Sequence, residues 1–72
     1  NQILRFTQQI KDGSSHEERA ALLEMLWEVV FADGEEHAFE ANLMRRVAGL
    51  IYVTDQESGS ARLRVRARLG LI

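Results

Sequence analysis

Apolar positions recur along the chain with helical spacing. Ile3, Phe6 and Ile10 fall three and four residues apart, which predicts a helix over residues 1–11. The turn-forming run Asp12-Gly13-Ser14-Ser15 should end it, with Gly13 as the stop. Ser15 followed by Glu18 has the spacing of a capping box, in which each side chain satisfies a free amide at a helix start. In the segment that follows, residues 16–32, Leu22, Leu23, Leu26, Trp27, Val30 and Phe31 cover much of the circumference. Glu17, Glu24 and Glu28 leave only a narrow polar stripe. A helix that apolar has to be surrounded by others. Residues 16–32 are therefore the expected core element, with Leu26 and Trp27 among its main contacts.

Phe39, Leu43, Val47 and Leu50 form a third stripe, over residues 37–51, with Arg45 and Arg46 on other faces. Thr54 and Glu57 make a second capping box, which opens a last helix over residues 55–69. Its tail, RLRVRARLGLI, alternates like a strand. No other segment reads as a strand, so the tail would have no ladder partner, and helix is the better assignment. The apolar residues Leu63, Val65, Leu69, Leu71 and Ile72 then point several ways, as if toward contacts outside one core. The expected architecture is an all-α bundle of about four helices, with residues 1–72 forming one domain or a domain fragment.

Composition narrows the function classes. A chain of 72 residues buries a modest core, and the absence of cysteine removes disulfides and thiolate metal sites as reinforcement. No apolar run approaches the roughly 20 residues of a membrane span, and no signal-peptide pattern opens the chain. The expected location is the cytoplasm. The chain starts without methionine on an apolar-periodic segment and reads as a fragment or excised domain. The net charge of −2 is unevenly spread. Residues 1–40 carry three cations against nine acids, whereas residues 41–72 carry six arginines against Asp55 and Glu57. Such a split suits helices of opposite sign packed together, or a charged partner.

The candidate chemistry lies in FADGEEHAFE, residues 31–40, where acids and a histidine flank one glycine between two helices. Gly34 and Glu40 have the separation of the loop glycine and last ligand of an EF-hand, but the first and third ligand places would be Val29 and Phe31. Neither can bind calcium, so the EF-hand match fails. A smaller set remains: Asp33, Glu36, His37 and Glu40 could converge on a divalent metal ion, with His37 and Glu40 one turn apart. The competing interpretation is purely structural. Gly34 would take a left-handed conformation at the helix end, and Glu40 would cap the next helix.

Other constellations point away from catalysis. His16 and His37 have no nucleophile that sequence places beside them, and Glu24 with Glu28 reads as a solvated face rather than an acid–base couple. Arg62, Arg64, Arg66 and Arg68 could meet phosphate, but they split between two sides of a helix and the chain has few aromatics to stack bases. Salt bridges to the acidic half are the expected use, and no nucleic-acid partner is expected.

Taken in order, Leu26-Trp27-Glu28, Ala32-Asp33-Gly34, Glu40, Arg45-Arg46-Val47-Ala48 and Asp55 with Glu57 resemble the tellurite-resistance protein B (TerB-like) family, specifically a proteobacterial branch of uncharacterised proteins. The resemblance spans nearly the whole chain. It implies an all-helical fold with a recurrent Ala-Asp-Gly corner, and metal-ion sensing or binding in bacterial stress response rather than catalysis. It also implies an earlier helical segment bearing a similar acidic corner. On the matching positions, Asp33 and Glu40 inherit the suspected functional role. Glu36 departs from the family, which usually has an aliphatic residue there, and this predicts a loop less firmly tied to the core. The function expected is thus a non-enzymatic module that binds a divalent metal ion weakly. The alternative is an interaction or scaffold module, forming a homodimer or docking a protein partner, with no metal role.

Overall fold

The computed structural model describes residues 2–71, apart from the side chain of Ile3. The expectations placed on residue 1, Ile72 and the Ile3 side chain lie outside the described residues. The elements are α1 (Gln2–Gly13), α2 (His16–Val30), α3 (Ala38–Leu50) and α4 (Asp55–Arg68). Helices α2, α3 and α4 pack on one another, and α1 packs on α3. The fold is all-α, and the described residues contain no strand. Among them no helix is long and apolar enough to cross a membrane.

Both capping boxes form. Ser15 Oγ accepts from the Glu18 amide at 3.1 Å, and the Glu18 carboxylate accepts from the Ser15 amide at 2.9 Å. Thr54 and Glu57 repeat this at the start of α4, at 3.1 and 3.0 Å. The alternating tail is helical over most of its length, with Val65 fully buried in the core while arginines on either side reach other elements. Leu63 and Leu69 stay exposed.

Several helix boundaries differ by one or two residues from the spacing-based expectation. Helix α1 continues through Gly13, which has no left-handed φ, and so Gly13 is a last helical residue rather than a stop. Helix α2 ends at Val30, and Phe31 turns inward as its cap. Helices α3 and α4 each end in a Schellman motif, where the two amides past the cap bond back to carbonyls of the last turn. In α4, Gly70 at φ 72° supplies the left-handed residue, with Leu71 N–H to Arg66 O at 2.8 Å. In α3 that position is Tyr52, at φ 60°, with Val53 N–H to Ala48 O at 2.9 Å.

A side chain in the left-handed region costs about 1–2 kcal/mol. The phenol offsets part of this by accepting from Lys11 Nζ at 3.2 Å while the ammonium lies 4.3 Å from the ring centroid. Tyr52 thereby ties the end of α3 to α1. Tyr52→Gly and Tyr52→Ala both lose that tie, and only alanine keeps the strain. The glycine variant should therefore be the more stable of the two by about 1 kcal/mol in urea denaturation.

The core is Leu23, Trp27, Val30 and Phe31 from α2 and its cap, Met44, Ala48, Ile51 and Val53 around α3, and Ala61 and Val65 from α4. Two apolar expectations are corrected. Leu26 is only half-buried at the edge of this cluster, and Leu23 takes the central place. In α3 the residues that pack inward are Met44, Ala48 and Ile51, whereas Phe39 is 76% exposed and Leu43 is 41% exposed. Both stripes have helical spacing and they sit side by side, so α3 is rotated away from the more hydrophobic one. Trp27 stacks on Phe31 with centroids 5.7 Å apart, and its Nε1–H donates to the buried Ser58 hydroxyl of α4 at 3.2 Å.

Charges lace the helices together. Glu24 on α2 accepts from Arg64 at 3.1 Å and Arg68 at 2.7 Å on α4, and Arg68 also holds Glu28. The Arg68 hydrogen bond, the largest influence on Glu24, lowers its pKa. Arg66 donates to Leu71 O at 2.6 Å and lies over Phe31 at 5.2 Å. The arginine run serves the fold, as the split in charge suggested.

Glu57 has a double role. Besides capping α4, its Oε2 lies 2.5 Å from His16 Nε2 at the start of α2. The His16 contact first, and then the Thr54 amide and hydroxyl, bring its pKa from 4.5 down to about 2. A carboxylate depressed in the folded state contributes stability that is present above the unfolded value and lost as pH falls through the folded one. Stability should therefore decline between pH 4.5 and about 2, with Glu57 contributing to the slope. Urea denaturation of Glu57→Gln across that window should show a shallower decline than the parent. An unchanged slope would show that the pair contributes nothing.

Candidate functional site

The corner between α2 and α3 is built around Gly34. Phe31 anchors the preceding chain in the core. The Gly34 amide donates to Phe31 O at 2.9 Å, closing a tight turn over Ala32 and Asp33, and the chain leaves it through Gly34 at φ 83°, a conformation that favours glycine. Asp33 Oδ1 then accepts from the Glu35 amide at 3.0 Å, an Asx-type turn across the glycine. On the far side Glu40, in the first turn of α3, accepts from the His37 amide at 3.1 Å, while the imidazole makes no capping bond.

This backbone course gathers Asp33, Glu35 and His37. His37 Nε2 lies 3.7 Å from Asp33 Oδ2 and 3.7 Å from Glu35 Oε2. One ligand-capable atom from each residue lies within 4.8 Å of the others, and all three residues are exposed. Of the residues singled out from sequence, Asp33 and His37 come together and the other two are engaged elsewhere. Glu40 holds the start of α3. Glu36 turns away to α4, where Arg62 grips it with Nε at 2.8 Å and Nη2 at 2.5 Å.

That grip answers the expectation of a loosely held loop. Glu36 is half-buried, and the guanidinium that binds it also lies 5.8 Å from the Phe31 ring centroid. The loop is tied to the bundle by an ion pair in place of an apolar side chain. Glu35 was not among the sequence candidates. Its signal was the Asp33-Gly34-Glu35 order itself, because an Asx turn folds residue i+2 back beside the aspartate.

Chemically the corner offers one imidazole and two carboxylates, open to water. The set suits a divalent ion of borderline hardness, with water completing the shell.

Comparison with known proteins agrees with the all-α fold. No curated protein and no solved structure matches the chain. The family model described as tellurite resistance protein TerB, however, matches residues 1–63, most of its length and all of the corner. The chain belongs to the TerB family.

Proposed function

We propose that this chain is a non-enzymatic TerB-family module of bacterial stress response that binds a divalent cation weakly through Asp33, Glu35 and His37. The observation that supports this is the gathering of the three donor atoms within 4.8 Å by a turn whose two ends are fixed. Exposed, water-completed sites of few protein donors bind weakly. Imidazole with carboxylates favours zinc, nickel or manganese over calcium. Binding weakens in acid, since a protonated imidazole cannot ligate.

Calorimetric titration with zinc, manganese and calcium tests the proposal, together with melting curves. The parent should release heat, and its melting temperature should climb with the logarithm of ion concentration. Asp33→Asn with His37→Gln should do neither. Glu40→Gln, which keeps an oxygen for the His37 amide, should still bind. Identical behaviour of the parent and the Asp33/His37 double variant would reduce the corner to a helix connection.

A second interpretation, an interaction module, is favoured by a separate observation. An apolar groove lies between α1, α2 and α3, on the side of the bundle away from the α2–α4 ion pairs.

A further inference from the structure

A separate cavity, of about 240 Å³, is lined by residues of α2, α3, α4 and the corner. Unlike the groove, it is polar. Trp27 and Ser58, 4% and 5% exposed, are its buried lining, and Ala41 and Gly59 are the small residues beside them. Gly59 is helical and has no left-handed φ. A Cβ added there would meet no atom within 4 Å beyond its two neighbours and its own helix backbone. Conformation does not demand glycine at this position, so what it provides is room.

The polar groups of the cavity are only partly used. The Ser58 hydroxyl accepts from Trp27 Nε1–H at 3.2 Å, and its own proton has no acceptor among the described residues. A buried donor left unmet costs about 1–3 kcal/mol, which favours an acceptor placed in the cavity. Four charged residues line the space: Glu36, Arg45, Asp55 and Arg62. Glu36 and Arg62 hold each other. Arg45 on α3 and Asp55 at the start of α4, both exposed, pair neither with each other nor with any other described residue. One unpaired cation and one unpaired anion thus stand over a buried hydroxyl. A ligand with a single charge is attracted by one of them and repelled by the other.

We infer that this cavity binds a small zwitterion of the α-amino-acid class, its carboxylate accepting from Arg45 and the Ser58 hydroxyl and its ammonium facing Asp55. The volume suits a short side chain. It lies below the roughly 300–1,000 Å³ of pockets for drug-sized ligands. At the roughly 30 Å³ that a water molecule occupies in the liquid, it corresponds to about eight non-hydrogen atoms. None of Asp33, Glu35 and His37 lines the cavity, so binding here is independent of the metal corner.

The test titrates isotope-labelled protein at neutral pH with L-alanine and with propionate and ethylamine, which lack its amine and its carboxylate respectively. Amide and indole resonances are followed by nuclear magnetic resonance. L-Alanine should give saturable shifts at the Trp27 indole N–H and at the amides of Ser58 and Gly59, and each single-charge analogue should bind at least about tenfold more weakly. Asp55→Asn should bring L-alanine to the level of propionate, and Arg45→Gln to the level of ethylamine. Gly59→Leu fills the space with a better helix former, and should abolish binding while urea denaturation shows a fold at least as stable. Absence of saturable shifts with L-alanine overturns the assignment. So does a propionate affinity equal to that of L-alanine, which makes this an anion site, or an equal ethylamine affinity, which makes it a cation site. Binding that survives Gly59→Leu places the ligand elsewhere and overturns it as well.

Discussion

Leu23→Ala should leave little folded protein. Leu23 is 0% exposed and sits where α2 meets the rest of the core, in one cluster with Trp27, Ile51 and Val65. Deleting a fully buried leucine side chain costs about 2–5 kcal/mol, through lost transfer energy and the cavity left behind. A domain of this size rarely has more than about 3–5 kcal/mol in total. Leu26→Ala provides the internal control. Half-buried at the groove wall, Leu26 leaves a space already open to solvent, so its truncation should cost about 1–2 kcal/mol and keep the fold. Far-ultraviolet circular dichroism with urea denaturation distinguishes the two. Equal losses would mean that α2 is rotated from the orientation described.

Arg19→Met is the second large effect, at a residue with no apolar role. The Arg19 guanidinium donates to Ser14 O at 2.7 Å and Lys11 O at 3.3 Å beyond and within the last turn of α1, and to Ile51 O at 2.9 Å at the cap of α3. Carbonyls at helix C-termini have no intrahelical partner and carry the negative end of the helix dipole. One half-buried cation thus satisfies the ends of two helices and joins α1 to the body of the bundle. Hydrogen bonds from a charged group are worth about 1.5–3 kcal/mol when removed, and the orphaned carbonyls add to the loss. Methionine keeps the length but offers no donor. The expected result is a loss of about 2–3 kcal/mol, with amides of α1 exchanging before those of α2. Arg19→Lys should recover only part of it, because an ammonium cannot span both helix ends as the planar fork does. If α1 retains its protection in Arg19→Met, the clamp is incidental.

Local rules carried the secondary structure a long way. Serine or threonine with a glutamate three residues on, glycine near a turn and apolar spacing of three and four are interactions within one or two turns of chain. The two capping boxes, the Gly34 turn and the all-α fold follow from them. At the corner, the same locality made Asp33 and His37 legible, since both lie within a few residues of the glycine.

What local order left open was decided by rotation and reach. Periodicity presents both Phe39–Leu43–Val47 and Met44–Ala48–Ile51 as faces of α3, and only docking on α2 and α4 selects the second. Glu36 and Glu40 were both candidates for a metal until Arg62, distant in sequence, claimed the first and the free amide of His37 claimed the second. Arg19 as a clamp was invisible for the same reason, because its acceptors lie at the ends of two different helices. The chain by itself determined which stretches become helices and where they turn. Which face each helix buries, and which long charged side chain meets which partner, depends on contacts between residues far apart in sequence, and only the tertiary structure decided those.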